Sequence, residues 1–191
     1  MIQKSELDEW NLLKLPQQKV LLVDTVVKDA GLLALLQQGM EVYERHVKDQ
    51  VPKLARGVIH SDVHDMNVLC NEVDDATNSH QLGIVDFGDI SDAPYIFELA
   101  TVAVDAMYSS EAPLASLKQV VAGYTAYNPL PKEDEDLLLY AVVGKITQWC
   151  LLSVVAAADD PANSEYILRT FDSNVKLLEY LLHHLSSKQS S

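Results

Sequence analysis

Apolar positions follow two different rhythms along this chain, and the change between them divides it. From Val20 to about Val51 they recur at helical spacing, through Val23, Val26 or Val27, Leu32, Leu33, Leu35, Leu36, Val42, Tyr43 and Val47. Gly31 and Gly39 are expected to mark breaks or a turn inside that segment, and Pro52 to end it. Ahead of it, Ser5-Glu-Leu-Asp8 is a capping-box-like start that predicts a short helix carrying Trp10, Leu12, Leu13 and Leu15 as far as Pro16. The rhythm then shortens. Gly57–His60 and Asn67–Cys70 read as short strands, polar Asn71–Gln81 as an exposed hairpin connection, and Leu82–Phe87 as a returning strand that ends at Asp86. After Gly88 the pattern is helical again. It predicts helices from Pro94 to about Tyr108, Pro113 to about Tyr127, Pro131 to about Ala158 and Pro161 to Leu185, then a frayed tail over Ser186–Ser191. The expected class is α+β, mainly helical, with a small β-hairpin insert whose polar residues sit at strand ends and in loops, where sites concentrate.

Composition narrows the partners. The chain has 191 residues, 48% hydrophobic and 22% charged, which suits one globular unit with a real core, or one lobe of a larger protein. Its net charge of −14 argues against nucleic acid and against an anionic membrane surface. The longest apolar stretch, Ile146 to Ala158, is too short for a membrane span and suits a buried helix. Met1 is followed by polar residues instead of a signal-like apolar run, and a cytoplasmic location is expected. Cys70 and Cys150 form no metal-spaced pair and are expected to be buried thiols in a reducing compartment.

The β-insert carries the chemistry. His60-Ser-Asp62 is followed by Asn67, and Asp86-Phe-Gly88 arrives on a separate apolar segment. Phosphoryl transfer needs an acceptor hydroxyl held in line and phosphate charge neutralised by metal. Asp62 suits the role of base or hydroxyl-orienting group, while Asn67 and Asp86 offer one neutral and one charged oxygen to Mg2+. That ion takes few protein ligands and completes its octahedron with phosphate and water. His60 is better suited to brace the loop than to act as acid or base. The spacing matches the kinase pattern H-R-D-x-x-x-x-N with D-F-G downstream, and both halves in order say far more than either alone.

The stretch resembles the aminoglycoside phosphotransferase and choline kinase family, whose pattern is H-G-D-x-x-x-x-N and then an Asp. Its nearest likeness there is to the hydroxylysine kinase branch. The likeness is carried by His60-Ser-Asp-Val-His-Asp-Met-Asn67, Gly83-Ile-Val-Asp-Phe-Gly-Asp89 and Tyr95-Ile-Phe-Glu-Leu-Ala100. It also extends, less specifically, into Val121-Ala-Gly-Tyr124 and the Gln148-Trp-Cys-Leu-Leu-Ser153 helix. The resemblance implies that Asp62 is the catalytic base, that Asn67 and Asp86 are magnesium ligands, and that the donor is GTP or ATP, with GTP preferred. It implies a hydroxylated amino acid, 5-hydroxylysine, as acceptor. Asp65 matches a loop acid of the family and is expected to brace the loop. Asp89 and Asp92 face either a cationic amino-acid substrate or solvent in a turn, and Glu98 is expected to be a structural anchor.

The sequence departs from that family in two ways. Ser61 stands where the family usually has Gly, a difference that matters if the backbone there has positive φ. No Gly-rich loop and no strand lysine precede His60, so the residues that would cover the donor phosphates are missing. The expectation is therefore a protein-kinase-like C-terminal lobe over residues 1–191 with its N-terminal lobe absent, and negligible activity by itself. A non-catalytic binding module, and a kinase for another hydroxylated amine or sugar, are the alternatives. His64, His80, His183 and His184 are expected at the surface, and Trp10 and Trp149 in the core.

Overall fold

The computed structural model describes residues 10–70 and 81–189. The Ser5–Asp8 start, His80 and most of the predicted hairpin connection lie outside those residues. Among the described residues the helices are α1 (Leu15–Gln18), α2 (Ala30–His46), α3 (Tyr95–Tyr108), α4 (Pro113–Thr125), α5 (Lys132–Asp159), α6 (Ser164–Ile167) and α7 (Phe171–Gln189). The strands are β1 (Arg56–Ile59), β2 (Val68–Cys70), β3 (Leu82–Ile84) and β4 (Ser91–Pro94). Among the described residues the protein is mainly helical with two small antiparallel sheets.

Helix α5 is the axis. Leu138, Ala141, Val142, Val143, Ile146 and Leu151 are buried around it, and so are Lys145, Thr147, Gln148 and Ser153. A helix covered on every side needs apolar residues on every side, which is why it is long and apolar enough to cross a membrane by composition alone. Most of that surface is already buried against α2, α3 and α7. Three acids, Glu133, Asp134 and Glu135, occupy its first turn, where the helix dipole favours them, and Asp134 Oδ2 accepts the Ala55 N–H at 3.1 Å.

Gly39 does not break α2. It lies in the middle of the helix, and a Cβ there would collide with the Thr147 side chain of α5. Gly144 of α5 answers it, lying flat against the Tyr43 ring of α2. Two glycines thus let the backbones approach at the centre of the core, where Leu36, Met40 and Tyr43 are fully buried. Gly31 likewise sits inside the first turn of α2, which Asp29 caps by accepting the Leu32 N–H at 2.7 Å.

Other expectations need correction. Pro16 opens α1 instead of ending a helix, because a first-turn residue needs no N–H donor. β3 stops at Ile84, so Asp86 lies beyond it, in left-handed backbone with φ 62° and ψ 67°. β4 was not predicted. Ser-Asp-Ala-Pro has no strand propensity and is extended because it pairs with β1, in the register Arg56↔Pro94 through Ile59↔Ser91. The β2–β3 pair follows the expected hairpin order, with Val68↔Ile84 and Cys70↔Leu82. The last predicted helix is two, separated by a turn at Leu168–Thr170. Ser186 to Gln189 continue α7 instead of fraying. Cys150 is buried as expected, and Cys70 is exposed.

Candidate functional site

The loop from His60 to Asn67 leaves β1, crosses the N-terminus of α3 and enters β2. Its shape is set from outside. Glu98, in the first turn of α3, accepts the N–H groups of both His60 and Ser61 at 2.8 Å, one on each carboxylate oxygen. Ser61 needs this support, because its φ is 74°. In that region a Cβ is penalised, which is the physical reason Gly suits the position. Ser61 Oγ also lies 2.7 Å from Ser91 Oγ of β4, so the unexpected strand helps to hold the strained residue. Thr101 Oγ1 donates to the Ser61 carbonyl at 3.4 Å. Ser61 and Asp86 are the non-glycine residues with positive φ among the described residues, and both belong to this region.

His60 is buried, and its ring joins the two halves of the motif. Nε2 lies 2.9 Å from the Val85 carbonyl and donates to it, while Nδ1 accepts the Asp62 N–H at 3.4 Å. Phe87 packs against the ring with centroids 4.9 Å apart. The Val85 N–H donates in turn to the Asn67 carbonyl at 3.0 Å. The loop and the segment carrying Asp86 are therefore fixed to one another. Asn67 closes the loop: its Nδ2 donates to the Asp62 carbonyl at 2.9 Å and to Asp62 Oδ2 at 3.0 Å.

Asp62, Asn67, Asp86 and Asp89 come together on the wall of one cavity of about 350 Å3, at the small end of the range for ligand sites. Asp92 does not. Its carboxylate pairs with Arg56 across the β1–β4 sheet at 3.0 Å and faces solvent. Asp65 is exposed; its N–H donates to Asp105 Oδ2 of α3 at 3.0 Å, and its carboxylate lies 3.6 Å from His64 Nδ1.

Residues that the motif did not single out complete the cavity. His64 is half-buried instead of lying on the surface, with Nε2 3.4 Å from Asp62 Oδ2. Its Nδ1 accepts the Met66 N–H at 3.2 Å, so the neutral ring carries its proton on Nε2, toward Asp62. The hydrogen bond to Asp62 raises the His64 pKa against the opposing effect of burial. Burial would raise the Asp62 carboxyl, but the His64 hydrogen bond, the charges of His64 and Lys145 and the Asn67 amide outweigh it. The net effect holds Asp62 below the usual carboxylate range. Lys145 of α5 is 4% exposed, and its Nζ donates to the Trp10 carbonyl at 3.0 Å. Burial pushes its pKa down to about 8, despite the attraction of Asp62, Asp89 and Glu98. A lysine inside an otherwise apolar helical run was the one signal in the sequence that could have marked it. Trp10 and Trp149 line the cavity instead of disappearing into the core, as do Tyr166 and Arg169, whose guanidinium lies over the Tyr166 ring.

The donors present fit a magnesium ion. Asn67 Nδ2 is spent on Asp62, which leaves Oδ1 accepting no hydrogen bond among the described residues, and the Asp86 carboxylate likewise accepts none. A neutral and a charged oxygen on one wall form the sparse, hard donor set that Mg2+ accepts. No cluster of three or more His, Cys, Asp or Glu residues suited to a metal occurs among the described residues, so the protein would supply only part of the coordination shell.

The chain is 28% identical over 159 residues to a hydroxylysine kinase of Xenopus laevis, covering 81% of this chain and 42% of the relative. It is 27% identical over 150 residues to the hydroxylysine kinase of Mus musculus, covering 77% of this chain and 40% of the relative. It is 30% identical over 143 residues to that of Danio rerio, covering 74% and 40%. The chain thus spans about two-fifths of the length of these relatives. No solved structure matches it. The model of the phosphotransferase enzyme family matches residues 4–135, a segment that contains the whole loop, both sheets and the carboxylate that anchors them, and the chain belongs to that family.

Proposed function

We propose that the cavity is the acceptor site of a small-molecule kinase, which passes a phosphoryl group from a nucleotide to the hydroxyl of a hydroxylated amino acid. The observation that carries this reading is the convergence of Asp62, Asn67 and Asp86, from two separate segments, on one small cavity. Asp62 is the base. Its depressed pKa keeps it ionised at neutral pH, and its partly exposed carboxylate is free to accept a hydrogen bond from an entering hydroxyl and then its proton. Asn67 Oδ1 and the Asp86 carboxylate would hold Mg2+, whose charge, when bound, neutralises the donor phosphates. His60 and Glu98 keep these groups in register, and Asp89 draws a cationic amine toward the same wall.

On this reading the chain supplies the acceptor side of the site, in a protein-kinase-like C-terminal lobe. The names of the relatives point to hydroxylysine as acceptor, and the donor on this reading is a nucleoside triphosphate, GTP or ATP. The test uses the intact protein that contains this sequence, with Mg2+, GTP or ATP and 5-hydroxylysine, and follows phosphohydroxylysine by mass spectrometry. Its formation is expected. Turnover confined to another hydroxylated amine or a sugar would reassign the acceptor, and no phosphoryl transfer to any of them would refute the reading.

A further inference from the structure

The cavity is electrically lopsided. Asp62, Asp86 and Asp89 line it, and its basic residues besides His64 are Lys145 and Arg169. These two differ in what they have left to give. Lys145 is buried, donates to the Trp10 carbonyl and sits in the field of Asp62, Asp89 and Glu98, so its charge is already committed. Arg169 follows α6, lines the same cavity and is exposed. Its guanidinium lies 4.4 Å over the Tyr166 ring, and one Nη donates to the Tyr166 carbonyl at 3.3 Å. No carboxylate of the described residues pairs with it. An arginine stacked on a ring keeps its planar fork oriented while its remaining N–H groups stay available, which is the arrangement that receives a carboxylate in bidentate fashion.

We infer that Arg169, held by Tyr166, binds the α-carboxylate of an amino-acid acceptor and selects such acceptors over amines and sugars that lack one. The inference rests on the acceptor-site reading above and deepens it. 5-Hydroxylysine carries both an ammonium and a carboxylate, the counterparts of the acids and the arginine that line the cavity. Its side-chain ammonium is next to the reacting hydroxyl and falls beside Asp62 and Asp89, while its carboxylate is at the other end of the carbon chain, toward Arg169. A sugar or a simple amino alcohol leaves the guanidinium without an anion.

The test compares 5-hydroxylysine with its decarboxylated analogue, 1,5-diaminopentan-2-ol, on the intact protein and on Arg169→Met and Arg169→Lys variants. Binding is measured by calorimetry and turnover by phosphate transfer. The wild type is expected to favour hydroxylysine by about tenfold to a hundredfold, the scale of a lost charge-assisted bidentate pair. Arg169→Met should remove that preference, weakening hydroxylysine and leaving the analogue unchanged, and Arg169→Lys should restore only part of it. If both acceptors are phosphorylated equally well and neither responds to Arg169→Met, the inference falls while the kinase reading stands. If hydroxylysine binds in an Arg169-dependent way but is never phosphorylated, the kinase reading falls and the carboxylate site stands. Failure of both compounds to bind overturns both.

Discussion

The crossing of α2 over α5 and the loop from His60 to Asn67 are held together by opposite means. At the crossing, Leu36, Met40, Tyr43, Val142, Val143 and Ile146 are fully buried, and Gly39 and Gly144 set how near the backbones come. Many small contacts share the energy, each individually dispensable. The loop side buries little. Met66, Leu69, Leu82, Ile84 and Phe87 are all exposed around it, and its conformation depends on a few polar atoms supplied by α3 and β4. Glu98 takes two backbone N–H groups, Asp105 takes the Asp65 N–H, and Ser91 and Thr101 meet Ser61. The lesson is a division of labour. The frame fixes where the helices stand, and single polar groups on those helices aim the site, so reacting groups can change without unfolding the frame.

The strongest separation of the two regions is expected from Asp62→Asn. Turnover of the intact protein should fall about a thousandfold, within the range for a positioned base, with thermal unfolding within about 1 °C of wild type. Retained turnover would remove Asp62 from the base role, and a large loss of stability would show that the loop is part of the frame after all.

Lys145 belongs to both regions, and its pH dependence tests how far the frame carries the site's charge. Its folded pKa of about 8 lies below the unfolded value near 10.5, so the unfolded chain binds more protons between those values and stability rises with pH across that window. Below about pH 8 the buried ammonium costs on the order of 3 kcal/mol relative to the neutral amine, by the size of that shift. Denaturant titrations of wild type and Lys145→Met should diverge over that window, with the variant lacking the rise. Parallel curves would mean that the acids around Lys145 offset its burial completely.

Gly39→Ala tests the frame alone. Alanine normally favours a helix by about 1 kcal/mol, yet here its methyl meets Thr147, and a net loss of about 2 kcal/mol is expected from overpacking. Adding Thr147→Ala should recover much of it. A stabilised single variant would show that α2 and α5 are free to move apart.

The smallest effect is expected at Ser61→Gly. Glycine relieves the cost of positive φ, about 1 kcal/mol, and gives up the hydroxyl contact with Ser91, so stability should rise by less than about 1 kcal/mol with turnover unchanged. A loss of stability would make the Ser61–Ser91 contact worth more than the backbone strain.

The helices α3, α4 and α5 were legible because their apolar residues recur at a local period and Pro94, Pro113 and Pro131 punctuate their starts. The loop motif was legible for a similar reason: His60, Asp62 and Asn67 lie within one short segment, and a fixed spacing is a local property. Asp86 needed a second segment, but its own neighbours marked it. By contrast, β4 is a strand only because β1 lies beside it, and the role of Gly39 depends on a threonine far along the chain. The same holds for the cavity. Lys145, Trp149 and Arg169 carry no spacing that links them to Asp62, His64 lies in the motif segment but its turn toward Asp62 does not follow from spacing, and Asp92 sits in the same acidic run as Asp89 yet turns to Arg56. The sequence by itself determined which residues are candidates for phosphoryl chemistry, because candidacy depends on residue type at short range. Only the tertiary structure decided which side chains surround them, because burial, Coulomb interaction and backbone strain depend on distance in space, and distance along the chain does not report it.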